Sequence, residues 1–285
     1  FFTLYNMVKE FISAAKEIRP DVVHLHSSFA GVIIRVILLL GLGGTRGIKV
    51  VYTPHAFSFL MTNKSSLFKR IFSIIERILQ NKADVIVCTS NYERDAALNF
   101  GMKPSNLKVI YNGIPRGIYK NDVKRKESDT VRVLFVGRLD YQKGFDYIID
   151  IIERFKGNGK FFFDVIGESV VNESIKCNEF SNAKFHGWMK QECINDYYES
   201  ADFLIMPSRW ESFGLVAVEA QSRGTPVLAN NSTSLPEVVM NNITGYLVDF
   251  NDLAAVISLI ESKSVNDWGN MKEDCESFVG ENFTE

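Results

Sequence analysis

The sequence predicts an α/β protein made of two doubly wound domains, and three observations lead there. Short β-branched runs alternate with helical periodicity in both halves of the chain. Several of those runs are apolar at almost every position, as parallel strands covered on both faces require. A polar run at 121–130 without apolar periodicity separates the halves. The predicted division is therefore a domain at 1–120, a linker at 121–130 and a domain at 131–285. A length of 285 residues is long for one domain and comfortable for two.

The elements follow in chain order. Helical spacing opens the chain at 4–18, and β-branched runs then predict strands at 22–26, 49–53, 85–89 and 107–111. The apolar run at 32–40 carries Arg35 and is too short to span a bilayer. At 65–79, Phe68, Ile71, Phe72, Ile75, Ile78 and Leu79 recur at helical spacing, a stripe expected to face the core. Lys69, Arg70 and Arg77 beside the stripe also suit contact with a membrane interface. In the second half, strands are predicted at 131–136, 161–166, 184–186, 203–206, 226–229 and 246–248. There is no internal repeat and no low-complexity tract.

Composition narrows the class. The chain is 46% hydrophobic and 23% charged, values of a soluble globular protein. No signal peptide is recognisable. Cys88, Cys177, Cys193 and Cys275 are scattered without metal-ligand spacing, which fits a reducing cytoplasm, with Cys88 expected inside a strand. Residues 1–126 hold 19 Lys and Arg against 8 Asp and Glu, and residues 127–285 hold 13 against 26. A basic first half fits an anionic partner such as membrane phospholipid or a lipid-linked phosphate, and it equally fits a solvated surface. Nucleic acid is not an expected partner.

Two motifs carry the chemistry. Glu211-Ser-Phe-Gly-Leu-Val-Ala-Val-Glu219 follows an apolar run and opens a helical pattern, so the order is strand, loop, helix. Such a loop presents backbone N–H groups at a helix start, where a phosphate or polar sugar can sit. Its carboxylates accept hydrogen bonds from hydroxyls, which suits a polyhydroxylated ligand. Val136-Gly-Arg-Leu-Asp-Tyr-Gln-Lys-Gly144 sits between another strand and helix. Gly137 permits a tight turn there. Arg138 and Lys143 then lie near the carboxyl edge of the sheet, well placed to hold a diphosphate. No Asp-x-Asp triplet occurs, so no metal requirement and no cofactor are expected. His24 and His26 share one face of a strand and read as structural or as facing the acceptor, His186 reads as structural, and Asn112-Gly113 alone could be only a turn.

Taken together, these residues resemble the retaining glycosyltransferases of family 4, which have the GT-B fold of two Rossmann-like doubly wound domains facing across a cleft. The resemblance is carried by Gly137-Arg138 with Lys143-Gly144, by Glu211-x-Phe213-Gly214 with Glu219, by Asn112-Gly113-Ile114 at the interdomain passage, and by His55 in Thr53-Pro-His-Ala. The segment His24-Leu-His-Ser-Ser-Phe-Ala-Gly31 resembles members that build bacterial exopolysaccharide or lipopolysaccharide. The resemblance implies that Arg138 and Lys143 bind the donor diphosphate and stabilise the leaving group, and that Glu219 holds the ribose hydroxyls. It further implies that Glu211 faces the donor sugar and that N–H groups of Phe213, Gly214 and Leu215 reach the sugar or distal phosphate. His55 would approach the sugar from the other domain, and Gly187 and Trp188 would lie near the base.

The implied activity is metal-independent transfer, with retention, of a hexosyl or N-acetylhexosaminyl group from a nucleotide-diphosphate sugar. A UDP-sugar is the expected donor, and a glycan or lipid-linked acceptor at the cytoplasmic membrane face is the expected partner. A covalent intermediate and same-face attack are both compatible with these groups. Complete members begin with a strand and a glycine-rich loop and end in a helix returning to the first domain, so this chain is expected to be shortened at both ends. A nucleotide-sugar epimerase of the same fold and a non-catalytic sugar-nucleotide-binding protein are the alternatives. A dinucleotide dehydrogenase is disfavoured because no Gly-x-Gly-x-x-Gly run follows a strand.

Overall fold

A computed structural model describes residues 2–115, 130–169 and 180–284. The chain divides into two compact units, Phe1–Tyr111 and Asn112–Glu285. The polar run expected as a linker, apart from Thr130, lies outside the described residues, as does Cys177.

The first unit comprises α1 (Phe2–Ile18), β1 (Val22–His26), α2 (Ser28–Leu40), β2 (Lys49–Thr53), α3 (Ser66–Leu79), β3 (Val85–Cys88), α4 (Asn91–Asn99) and β4 (Leu107–Val109). Its four strands lie in the order β1-β2-β3-β4, each pair parallel. Leu25, Val50, Tyr52, Ile86 and Cys88 from the strands pack with Ile34, Ile37 and Leu38 of α2 and with Phe57 and Phe59. β3 stops one residue short of the expected end. Thr89 turns its N–H and hydroxyl to the Glu93 carboxylate, at 2.8 and 3.1 Å, in place of a neighbouring strand.

This core also contains charge. Arg35 on α2 is fully buried and pairs with Glu76 on α3 at 2.7 Å. The Tyr52 hydroxyl donates to the same carboxylate at 3.0 Å, and the Arg35 guanidinium lies 3.9 Å from the Tyr52 ring centre. Burial raises the Glu76 carboxyl above its usual range, while Arg35 and Tyr52 pull it back. The pairing sets which face of α3 is inside. Ser73, Glu76 and Leu79 are buried, whereas Leu67, Ile71, Ile74 and Ile78 are exposed. The expectation that Ile71 and Ile78 face the core is therefore corrected.

The second unit comprises β5 (Val131–Val136), α5 (Phe145–Arg154), β6 (Phe161–Ile166), β7 (Ala183–Phe185), α6 (Gln191–Ser200), β8 (Phe203–Met206) and α7 (Leu215–Gln221). β9 (Val227–Asn230), α8 (Leu235–Val238), β10 (Gly245–Val248), α9 (Leu253–Ser262), α10 (Val265–Gly269) and α11 (Lys272–Asn282) complete it. The six parallel strands run in the order β10-β9-β8-β5-β6-β7. Successive residues of a strand point to opposite faces. Leu134 accordingly packs with Ala217, Val218 and Leu204 on one face, and Val133 and Phe135 pack with Ile148, Ile152 and Trp268 on the other. This is why β5 is apolar at every position but Arg132, whose guanidinium pairs with Asp164 of β6 at 2.8 Å. β9 starts after Pro226, which has no N–H to give but whose carbonyl accepts from Leu204 at 2.9 Å. Strand order reverses between β5 and β8, so the crevice at their carboxyl ends is the switch point where open α/β sheets bind ligands.

Candidate active site

Both chemical motifs emerge at that switch point. β5 leads into Gly137, whose N–H bonds to the Ile166 carbonyl at 3.0 Å. The loops after β5 and β6 touch there: a side chain on Gly167 (φ 143°) would come within 1.8 Å of the Gly137 carbonyl oxygen. Beyond Gly137 the loop is closed by Asp140, whose side chain accepts the Lys143 N–H at 2.9 Å. Gly144 (φ 69°) then begins α5, and a β-carbon there would lie 2.3 Å from the Pro207 carbonyl oxygen, so only glycine lets the loops after β5 and β8 meet.

The two motifs are joined by an ion pair. Lys143 Nζ lies 2.6 Å from Glu211 Oε1, with both side chains largely buried. Gln142 reinforces the junction, accepting the Arg209 N–H through its carbonyl at 2.8 Å and donating to the Trp210 carbonyl at 3.2 Å. The Glu211 backbone is held on its other side, its N–H donating to Thr233 and its carbonyl accepting from Ser234. Arg138 is half exposed and touches Asp140 at 3.2 Å and Gln142 at 2.7 Å. Gly214 (φ 103°) caps α7; Phe213 before it faces the core, and on the helix Leu215 is exposed and Glu219 is half-buried. Tyr198 donates to Glu219 Oε2 at 2.9 Å. Burial pushes the Glu219 carboxyl up, against the pull of Tyr198 and Gln191.

Gly187 and Trp188 reach the same edge. The Gly187 carbonyl accepts from Gly167, and the Trp188 N–H donates to Glu168 Oε1 at 3.3 Å. The Trp188 ring is 68% exposed, so it is not a core residue and is available for stacking. Gly137, Arg138, Lys143, Gly187, Trp188, Glu211, Phe213, Gly214 and Leu215 thus fall on the loops and helix starts that follow β5, β7 and β8, and Glu219 lies about one turn into α7. Asn112 and Gly113 are the first two residues of that unit. Ile114 follows and docks on the end of α11 through the Phe283 carbonyl at 2.8 Å. His186 is structural, as expected, buried between Asp164 at 2.7 Å and Tyr197 at 3.2 Å.

In the first unit, His55 follows β2 and has a positive φ of 50°, with Ala56 at 80°. Non-glycine residues hold such a conformation only under local constraint. Glu93 supplies it, accepting the Ala56 N–H at 2.8 Å, while Ser28 donates to the Ala56 carbonyl. His26, for which a structural or an acceptor role is expected, meets His55 instead. Its Nδ1 lies 2.9 Å from His55 Nε2, so one ring carries the shared proton, and the two rings stack at 5.2 Å. The parallel register pairs His26 with Thr53, two residues before His55, which is the signal that would have linked them. Burial, with His26 and His24 beside it, holds the His55 pKa below its usual value and favours the neutral ring.

This fold and site describe a sugar-transferring enzyme, and similarity to known proteins agrees. The family described as glycosyl transferases group 1 matches residues 119–277, and glycosyltransferase family 4 matches residues 2–116. The chain belongs to these families and is a glycosyltransferase with the GT-B fold. It is 39% identical to an uncharacterized 41.2 kDa protein of the cps region of Klebsiella pneumoniae, over 99% of this chain and 80% of that protein. It is 26% identical to the UDP-Gal:alpha-D-GlcNAc-diphosphoundecaprenol alpha-1,3-galactosyltransferase of Escherichia coli, over 90% of this chain and 70% of that one. Sucrose-phosphate synthase of Thermosynechococcus elongatus superposes with a TM-score of 0.85 at 21% identity, covering all of this chain and 75% of its own. HepE of Anabaena, solved with UDP and glucose, superposes with a TM-score of 0.77 at 19% identity, covering 97% and 77%.

Proposed function

We propose that this chain is a retaining, metal-independent glycosyltransferase that moves a sugar from a nucleoside-diphosphate sugar, with UDP as the carrier, to a bacterial glycan or lipid-linked acceptor. The observation that carries the reading is the Lys143–Glu211 pair at the switch point, with Arg138 and Glu219 on the same edge. Transfer breaks the anomeric C–O bond and leaves new negative charge on the departing diphosphate. Fixed cations aimed at that charge stabilise it as it forms. Lys143 and Arg138 take this role, and because they supply the positive charge themselves the reaction runs without a bridging metal. Lys143 also shields Glu211, which is then free to accept from sugar hydroxyls. N–H groups at Phe213, Gly214 and Leu215 add the donors of a helix start. Glu219 takes the ribose and Trp188, beside Gly187, the base. His55, neutral and fixed by His26 and Glu93, is the contribution of the first unit to the sugar.

The choice of UDP is supported by the donor in the Escherichia coli relative's name and by the ligands of HepE, and the choice of acceptor by the diphosphoundecaprenol in that same name and the cps region of the Klebsiella relative. We also assign the exposed apolar and basic face of α3 to an anionic membrane surface at the cytoplasmic side. Among the described residues no helix is long and apolar enough to cross a membrane. Sedimentation with anionic vesicles tests the assignment.

The donor site is tested by calorimetric titration of UDP and GDP in the presence of EDTA, with Lys143→Ala and Glu219→Ala as controls. UDP binds without metal, and each substitution weakens it by about tenfold or more, the value of a lost hydrogen bond to a charged group. A folded protein that binds neither nucleotide, or binds only when a divalent ion is added, overturns the reading.

A further inference from the structure

The Glu219 carboxylate is held from behind by α6. Tyr198 is fully buried and donates its phenolic O–H to Glu219 Oε2 at 2.9 Å. Gln191, the first residue of α6, helps Tyr198 hold the same carboxyl in its charged form. The two residues are seven positions apart, two helical turns, and so project from one face of α6. The helix itself is tied down at this point, because the Thr225 hydroxyl donates to the Tyr198 carbonyl. Burial and the neighbouring Glu219 charge hold the Tyr198 phenol well above its usual pKa, so it remains a donor throughout the working range. A buried tyrosine hydroxyl needs some partner, and a backbone carbonyl would satisfy it equally well. Here the partner is the carboxylate that stands at the ligand edge of the sheet.

The last torsion of a glutamate is broad, so an unsupported carboxylate would rotate freely. An ionised carboxylate has about four lone-pair sites, and the bond from Tyr198 leaves the other oxygen and its lone pairs for a ligand. A ribose presents two adjacent hydroxyls. We infer that Tyr198 and Gln191 are positioning residues that fix the Glu219 carboxylate to receive the 2′ and 3′ hydroxyls of the donor nucleotide. The inference rests on the assignment of Glu219 to the ribose made above, and neither residue touches the substrate itself.

The test compares UDP with 2′,3′-dideoxy-UDP on the full chain and on its Tyr198→Phe and Gln191→Ala variants, by titration calorimetry, with melting temperatures recorded alongside. The wild-type protein binds UDP about tenfold more tightly than the dideoxy compound. In both variants that ratio falls towards one, because UDP weakens while the dideoxy compound keeps its affinity. A variant that weakens both ligands equally marks a merely structural role and overturns the inference, as does a folded pair of variants that keep the wild-type ratio. A wild-type ratio near one removes the ribose from Glu219 and takes the inference with it. Gln191 is exposed, so its variant decides the matter if Tyr198→Phe fails to fold.

Discussion

Lys143 and Arg138 look alike in the sequence, two cations in one loop, yet their surroundings differ. Lys143 is largely buried against Glu211, whereas Arg138 is half exposed beside Asp140. Removing one partner of a buried pair strands the other charge, while an exposed pair contributes little. Lys143→Ala is therefore expected to lower folding stability by about 2 kcal/mol, and Arg138→Ala to change it by less than about 0.5 kcal/mol. Urea unfolding of the two variants checks this, and equal losses would contradict the ion pair. The histidines give a second expectation. His26 is one of the groups that depress the His55 pKa, so deleting its ring in His26→Ala moves the His55 titration upward towards the unperturbed 6.5. The sign for stability follows from the same shift. A base depressed in the folded state adds stability that is present above its unfolded pKa and is lost as pH falls through that value. Proton NMR of the ring signals from pH 8 to about 4.5 reads the change, and a His55 pKa that stays put or drops in His26→Ala would refute the contact.

At the scale of elements, the core pair of Arg35 on α2 and Glu76 on α3 decides how the first unit packs. Glu76 receives both Arg35 and the Tyr52 hydroxyl, so Glu76→Ala leaves a buried guanidinium without its counter-charge and is expected to cost about 3–5 kcal/mol. Replacing the pair together, with Arg35→Met and Glu76→Leu, costs less than the single change. Thermal unfolding of the single and double variants distinguishes this from simple loss of volume, which would make the double change worse. The same pair explains where sequence reading succeeded and failed. Strands at 131–136, 161–166 and 203–206 were legible because burial on both faces leaves every position apolar except the paired Arg132 and Asp164. The meeting of Lys143 with Glu211 was legible in part, because both lie in loops that follow adjacent parallel strands. The inner face of α3 was not, because its central residue is a charge whose partner lies 41 positions away. Periodicity alone placed Phe72 and Leu79 correctly and Ile71 and Ile78 on the wrong side. Likewise Tyr198 and His26 acquire their roles through contacts 21 and 29 residues distant, which depend on helix packing and strand register.

The whole molecule carries its charge unevenly. The first 126 residues hold 19 basic and 8 acidic side chains, and the remainder holds 13 against 26. Basic surface alone would attract any polyanion, and exposed apolar surface alone would invite aggregation. In α3 the two coincide: Leu67, Ile71, Ile74 and Ile78 are exposed alongside Lys69, Arg70 and Arg77 on one amphipathic helix. That combination suits an interface where acyl chains and anionic headgroups meet. An acidic second half would be repelled by the same headgroups, so the proposed contact is assigned to the first unit. Two terms should then separate by experiment. The electrostatic term fades as the Debye length shrinks from about 30 Å at 0.01 M salt to about 8 Å at 0.15 M. The apolar term persists. Sedimentation with vesicles containing phosphatidylserine is expected to recover the protein strongly at low salt and more weakly at physiological salt. Ile71→Asp with Ile78→Asp lowers recovery at both salts, because it replaces exposed apolar surface with negative charge. Vesicles of neutral lipid that recover as much protein as anionic ones would remove the electrostatic term, and recovery unaffected by the double substitution would remove α3 from the contact.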